Sequence, residues 1–462
     1  MKKLIITILL LSTSLFGAKK PNIIFILADD LGMGDLSCYG QEKLQTPNID
    51  RIAKEGMQFD RHYSGSTVCA PSRCTLMTGM HTGNSIIRGN SKVTVKGFKG
   101  DMYMPEDTLT VAKFLKDNGY KTGLFGKWGL GANVSISAPL KMGFDKFFGY
   151  DDQALAHNYF PEYLCSDDGK ITYEGNSVTS KKFYSPDMIH NEAMKFIDDN
   201  KDKPFFLYYA STLPHASIVS IEKYQAQFRG KFDPEVKFNG GHYTKQPETH
   251  AAFAAMIFAL DSYVGDVFKK LEAEGILDNT IIIFSSDNGT HVEGGHNPKY
   301  WNSSASLRGN KRDMYEGGVR TPMLVYWKNK VQAGSKTSHI SAFWDFLPTV
   351  ADVIGVEAPK GLDGISYLPT LLGNAEQKEH NYLYWEFKEK GGKKAILQGD
   401  WKLVALNVTT KAIYELYNIA DDRPEQKNLI NTNPEKFQEL KELLDKARST
   451  PKIPAFEFGG EK

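Results

Sequence analysis

The sequence predicts an α/β fold: a large, mostly parallel sheet flanked by helices, with a smaller C-terminal α+β domain carrying an antiparallel sheet. Three observations lead there. Asn22 to Ala28 (NIIFILA) and Thr280 to Phe284 (TIIIF) are apolar without interruption, which suits strands buried on both faces. Helical patterns separate such runs, and from about residue 375 the texture changes to shorter alternating stretches.

Residues 1–18 (MKKLIITILLLSTSLFGA) carry two lysines, an apolar run and small residues, the pattern of a secretory signal peptide. The apolar run is shorter than the roughly 20 residues that span a bilayer. No later stretch reads as long enough, so the expected protein is exported, periplasmic or secreted, and free of the membrane. The first strand runs into Asp29 and Asp30. A helix from Leu109 to Lys116 closes at Gly119, and the run Lys121 to Phe125 leads into Gly126-Lys127. Pro204 to Ala210 leads into Leu213-Pro214-His215. A second helix, Ala251 to Glu274, closes at Gly275, and the TIIIF run passes through Ser285 and Ser286 into Asp287 and Asn288. In open α/β sheets ligands bind beyond the carboxyl ends of the strands. Four strand ends therefore nominate one rim as the site.

Beyond a catalytic domain spanning 19–375, residues 376–462 read as four short strands: Tyr382 to Phe387, Lys394 to Leu397, Trp401 to Leu406 and Ala412 to Tyr417. A final helix follows, with Asn433 as its cap, Pro434 at its first position and Phe437, Leu440, Leu443, Leu444 and Ala447 on one stripe.

The charge is nearly balanced, 56 Lys plus Arg against 55 Asp plus Glu, so no global field steers the protein onto nucleic acid or an anionic membrane. An anionic substrate would need positive charge gathered locally. Cys38, Cys69, Cys74 and Cys165 are too few and scattered for a disulfide scaffold, and none has zinc-site spacing, although one disulfide is compatible with an oxidising compartment.

Asp29, Asp30, Asp287 and Asn288 offer three carboxylates and an amide oxygen, hard donors that suit Ca²⁺ or Mg²⁺ better than zinc. The neighbouring segment Cys69-Ala70-Pro71-Ser72-Arg73, with Thr78-Gly79 downstream, resembles the signature of the type I sulfatases. Gly126-Lys127-Trp128, Pro214-His215, Asp287-Asn288-Gly289, Gly309-x-Lys311 and Glu316-Gly317-Gly318-x-Arg320-x-Pro322 match in order and approximate spacing.

The resemblance implies an alkaline-phosphatase-like fold and a Cys69 oxidised to Cα-formylglycine (3-oxoalanine) by a formylglycine-generating or sulfatase-maturating enzyme. A thiol attacking a sulfate ester would be left as an adduct with no easy exit. A hydrated aldehyde has two hydroxyls, one to attack sulfur and one to expel sulfate afterwards. By the same resemblance, Asp29, Asp30, Asp287 and Asn288 would hold one Ca²⁺ and Arg73 would orient the hydrate. Lys127, His215 and Lys311 would bind sulfate oxygens, with His215 or Lys311 protonating the leaving alcohol. Lys311 stands between Arg308 and Arg312, a cluster that in isolation reads as a solvated loop.

One departure stands out. Where the family usually has Gly-Lys-Trp-His-Leu-Gly, this chain has Gly129 in place of the histidine credited with taking a proton from the sulfated hydrate. His157 is a candidate substitute, and with Asn158, Tyr159 and Tyr163 a candidate lining of a sugar subsite. The expected activity is hydrolysis of sulfate monoesters, on a sulfated carbohydrate of galactose or N-acetylgalactosamine type or on an aryl sulfate. The alternatives are a phosphonate or phosphodiester hydrolase using the same aldehyde and, because of Gly129, a catalytically weak protein that binds sulfated glycans.

Overall fold

A computed structural model describes residues 19–90, 93–95, 98–100, 103–132 and 135–459 of the 462-residue chain. The expected signal peptide lies outside the described residues.

Ten strands form the main sheet: β1 (Asn22–Ala28), β2 (Met57–Phe59), β3 (Lys121–Lys127), β4 (Lys146–Tyr150), β5 (Tyr163–Ser166), β6 (Gly169–Thr172), β7 (Phe205–Ala210), β8 (Thr280–Ser286), β9 (Met323–Trp327) and β10 (Ser335–Thr337). Their spatial order is β10-β2-β9-β8-β1-β7-β3-β4-β5-β6. The middle five, β8-β1-β7-β3-β4, are mutually parallel, and antiparallel pairs flank them on both sides. All seven residues of β1 are buried, as the uninterrupted apolar run requires. Ile24, Ile26 and Ala28 face a core filled by the helix α1 (Thr249–Ala273), whereas Ile23, Phe25 and Leu27 face the opposite core with Met77 and Leu347.

Helix α1 corrects one expectation. Its 25 residues are long and apolar enough to cross a membrane, but 83% of its apolar window is buried inside the protein, so here it is a core helix. Strands β3 and β8 also run two residues further than the apolar patterns suggested, reaching Lys127 and Ser286. None of the four cysteines forms a disulfide.

The C-terminal sheet is antiparallel, with β11 (Leu383–Phe387), β12 (Lys393–Gln398), β13 (Trp401–Leu406) and β14 (Ile413–Asn418) in sequential order. Ile396, Leu403 and Leu416 on one face pack against Leu440 and Leu444 of α2 (Pro434–Lys446). Asn433 precedes this helix as expected, but its side chain makes no cap and instead accepts from the Thr432 hydroxyl at 3.0 Å.

The other face, with Trp385, Leu397 and Val404, packs on Tyr63, Val319 and Trp344 of the catalytic domain. A buried ionic group fastens this junction. Lys402 Nζ lies 2.8 Å from Glu316 Oε1 and 3.0 Å from Glu425 Oε1, and Arg320 Nη1 lies 3.1 Å from Glu316 Oε2. The Glu316-Gly317-Gly318-x-Arg320 motif is thus a joint between domains, five residues beyond Lys311.

Candidate active site

The site forms because β3, β7, β1 and β8 are adjacent and end together. Gly126 pairs with Ala210, Leu27 with Ala210, and Ala28 with Ser286. Each chain then turns away on the same rim, leaving Lys127, His215, Asp29, Asp30, Asp287 and Asn288 to converge. Gly126 permits the close approach: its φ is +121°, and a Cβ there would lie 1.8 Å from the Ala210 carbonyl oxygen. The Asp287 N–H donates to the Ala28 carbonyl at 3.1 Å, tying the two acidic turns together.

Cys69 opens the helix α3 (Cys69–Thr78), whose ten residues are all buried. Arg73, four residues on, shares its face. Cys69 Sγ donates to Asp29 Oδ1 at 3.3 Å, while Arg73 donates to Asp287 Oδ2 from Nη2 at 2.9 Å and to the Lys127 carbonyl from Nη1 at 2.6 Å. Lys127 Nζ reaches Asp29 Oδ2 at 2.8 Å, and Lys311 Nζ reaches Asp30 Oδ2 at 2.7 Å and His215 Nε2 at 3.1 Å.

Burial and neighbouring charge set the protonation states. Burial, then the Asp287 and Asp29 carboxylates, push the Cys69 thiol well up, so it is protonated at neutral pH. Burial disfavours the ammonium forms of Lys127 and Lys311, but Asp29 beside one and Asp30 beside the other outweigh it and hold both above the ordinary lysine range. Burial would also raise Asp29, yet Lys127, with Arg73 and Lys311, holds it well below the usual carboxylate range. Asp287 goes the other way, pushed up to about 7 by burial and by the charge of Asp29.

The residues fit a hard cation. Ligand atoms from Asp29, Asp30, Cys69 and His215 lie within 4.8 Å of one another. Asn288 Nδ2 donates to Asp30 Oδ1 at 2.7 Å, which leaves Asn288 Oδ1 buried and without a hydrogen-bond partner. A buried acceptor with no donor, next in sequence to Asp287 whose carboxyl is pushed up to about 7, calls for positive charge at that spot.

The sulfatase family model matches residues 21–356, nearly three-quarters of the chain. The chain belongs to the sulfatase family. A second match, to the C-terminal region of N-sulphoglucosamine sulphohydrolase, covers residues 309–450. This sulfatase is 30% identical to human arylsulfatase A, over 94% of this chain and 89% of that protein. It is 29% identical to the N-acetylgalactosamine-6-O-sulfatase of Bacteroides thetaiotaomicron, over 94% of each. Among solved structures, Ps i-CgsB in complex with k-i-k-neocarrahexaose superposes with a TM-score of 0.78 at 28% identity, covering 94% of each chain. A structure solved with its substrate D-glucosamine-2-N,6-O-disulfate gives 0.74 at 25% identity, covering 92% of this chain and 97% of that one. The sulfatase is therefore a hydrolase of sulfate esters.

Asp29, Asp30, Cys69, Arg73, Lys127, His215, Asp287, Asn288 and Lys311 meet in one place in this sulfatase. His157 belongs to the group as well: its ring stacks on that of His215. Its companions do not. Tyr159 is fully buried and donates to the Thr212 and His215 carbonyls at 2.6 and 2.8 Å, so it supports the His215 turn, and Tyr163 lies on β5 with Lys170 over its ring. Arg308 also leaves the site, donating to the Tyr417 hydroxyl and the Glu425 carbonyl, both at 2.8 Å.

Gly129 has φ +73°, and a Cβ there would meet the Gln153 carboxamide at 3.5 Å and Arg73 Cδ at 3.8 Å. The sequence reading missed Gln153, as it missed Tyr243 and Glu293. Glu293 is held at about 2, since Lys311 and Arg312 overcome both its burial and the charge of Asp30. The position of Glu293 five residues after Asn288 was the available signal.

Proposed function

We propose that this sulfatase releases sulfate from a sulfated carbohydrate, of galactose or N-acetylgalactosamine type, with Cys69 matured to Cα-formylglycine and one Ca²⁺ held by Asp29, Asp30, Asp287 and Asn288. The observation that carries this reading is Cys69 itself. Its thiol is buried and kept protonated by two carboxylates, in the middle of Arg73, Lys127, His215 and Lys311. A thiol so placed is a poor nucleophile, whereas the hydrate of an aldehyde at residue 69 would supply a hydroxyl nucleophile that regenerates. The cation, when bound, would polarise a sulfate oxygen and lower the pKa of the attacking hydroxyl.

The chain's own residues do the rest. Lys127 and Lys311 turn their ammonium groups to the sulfate oxygens, and Arg73 holds residue 69 and Asp287 in register. The Ala216 carbonyl accepts from His215 Nδ1, which places that ring's proton on Nδ1 and leaves Nε2 to accept from Lys311 Nζ. Burial and the Lys311 charge keep His215 neutral. Lys311 is then the proton donor to the leaving alcohol, and His215 aims it. Preorganised donors of this kind account for about 10²- to 10³-fold in rate apiece.

The N-terminal leader supports export to the periplasm or beyond, with a maturating enzyme as the obligatory partner. The carbohydrate preference draws on the glycan named for the N-acetylgalactosamine-6-O-sulfatase relative and on the glycans bound in the two similar structures. Two measurements on protein co-produced with a maturating enzyme test the reading. Mass spectrometry of the peptide containing residue 69 should show oxoalanine, and a screen of defined sulfated mono- and oligosaccharides should release sulfate. Full activity with only unmodified cysteine at position 69 would overturn the mechanism.

A further inference from the structure

Just outside the catalytic cluster lies a second polar group that no step above uses. Glu293 Oε1 is 2.7 Å from Arg312 Nη1, and Glu293 Oε2 accepts from the Tyr243 hydroxyl at 2.9 Å and lies 3.8 Å from Lys311 Nζ. The side chains of Glu293 and Arg312 are 17% and 28% exposed, so the pair sits at the boundary between the buried site and solvent. The Tyr243 ring is 5.6 Å from that of His157 and 6.3 Å from that of His215, and exposed His242 stands edge-on to Tyr243 at 4.8 Å. Between His291 and Glu293, Val292 is 63% exposed, the most exposed large apolar side chain of the described residues.

The pair is also held firmly. Arg312 has φ +76°, a conformation that costs a non-glycine residue energy and is kept only where its surroundings impose it. Its N–H donates to the Thr67 carbonyl at 3.0 Å, two residues before Cys69, and its carbonyl accepts from Lys393 Nζ of β12 at 2.7 Å. The Glu293 N–H donates to His291 Nδ1 at 3.0 Å. A solvated rim ion pair needs none of this anchoring.

We infer that Glu293 and Arg312, walled by Tyr243, His242 and Val292, form the leaving-group subsite of this sulfatase and recognise two neighbouring hydroxyls of an uncharged sugar ring. The inference rests on the carbohydrate reading and deepens it. A carboxylate only accepts and a guanidinium only donates, so side by side they match adjacent hydroxyls, which do both. Tyrosine, histidine and valine offer apolar surface to the C–H face of the ring. The carboxylate, 3.8 Å from the ammonium that handles the leaving oxygen, repels a second sulfate or a carboxylate on the same ring. The preferred leaving group is therefore hydroxyl-rich and neutral, not aryl, steroid or polyanionic.

The test compares kcat/KM for a monosulfated hexosamine, for the same sugar with a second sulfate, and for 4-nitrophenyl sulfate, in the matured wild type and in Arg312→Ala, Tyr243→Phe and Glu293→Gln. Formylglycine content and Tm are recorded for each variant. In Arg312→Ala the ratio of sugar ester to aryl ester should fall at least about tenfold, because a site built for hydroxyls discriminates steeply once one partner is lost. Tyr243→Phe, which removes a single oxygen, should lower the same ratio less. Glu293→Gln should raise the relative rate on the disulfated sugar. A ratio unchanged within about twofold in Arg312→Ala and Tyr243→Phe, in an enzyme that does desulfate the sugar, overturns the subsite and leaves the carbohydrate reading standing. A wild type that turns over the aryl ester but no sugar overturns both.

Discussion

The rings of His157 and His215 lie 4.5 Å apart with 13° between their planes. Burial, with Lys127 and Lys311 nearby, pushes His157 down to about 4, so at neutral pH it is an uncharged proton acceptor stacked on the residue that aims the acid. If residue 69 is the proposed formylglycine hydrate, His157 would be the imidazole to take its proton in place of the histidine that Gly129 lacks. His157→Phe keeps the stack and removes the acceptor. We expect kcat to fall about 10²-fold in both His157→Phe and His157→Ala, with Tm retained in the Phe variant. Wild-type turnover in His157→Phe would reduce the ring to packing.

In the proposed mechanism Lys311 would contribute a charge and a proton at one position. Lys311→Ala should lower kcat by about 10²- to 10³-fold. Lys311→Arg should not rescue it, because guanidinium is a far weaker acid and a bulkier group beside Asp30. The loss should shrink for substrates with acidic leaving groups such as 4-nitrophenol, which need no proton. Equal losses on sugar and nitrophenyl esters would argue against the acid role.

Calcium binding should be linked to protons. The folded-state carboxyl of Asp287 is raised from 3.8 to about 7, so without a cation its burial destabilises the protein increasingly as pH climbs from about 4 to about 7. A bound cation expels that proton. Apparent affinity should therefore rise by up to tenfold per pH unit below about 7 and level off above it. Calorimetry in buffers of different ionisation enthalpy should show close to one proton released at pH 6 and little at pH 8.5. The gain in Tm on adding calcium should likewise be larger at pH 8 than at pH 5, and Asp287→Asn should abolish the difference. A pH-independent affinity would contradict the coupling.

At the domain junction, Lys402 bridges Glu316 and Glu425, and all three side chains are fully shielded from water. Lys402→Met conserves volume but leaves Glu425 without a cation and Glu316 with Arg320 alone. The cost should be about 3 to 5 kcal/mol, read as a lower Tm or as early loss of the C-terminal sheet in hydrogen exchange. A variant as stable as wild type would mean that the joint is held by the apolar contacts of Trp385 and Trp344 alone.

Much of this was legible beforehand, because a strand buried on both faces writes itself as an unbroken apolar run and the chemistry follows where the run stops. Asp29, Asp30, Cys69, Arg73, Lys127, His215, Asp287, Asn288 and Lys311 all lie at such stops or in short motifs beside them. Local pattern failed where a residue's role depends on what faces it. Asn433 has the right residue type and position for a cap but turns to Thr432 instead. Tyr159 and Tyr163 look alike in sequence, yet one is buried under the His215 turn and the other lies on β5, one strand in from the edge of the sheet, beneath Lys170.

By itself, then, the sequence determined the strands, the acidic turns, the motif around Cys69 and the class of chemistry. The tertiary structure alone decided that β3, β7, β1 and β8 stand side by side with their ends in register, because strand order is set by long-range packing that no local pattern encodes. It alone brought His157 onto His215 and set Glu293, Tyr243 and Arg312 at the mouth. Loop residues carry no periodicity to announce them, and their role follows from the neighbours that folding supplies.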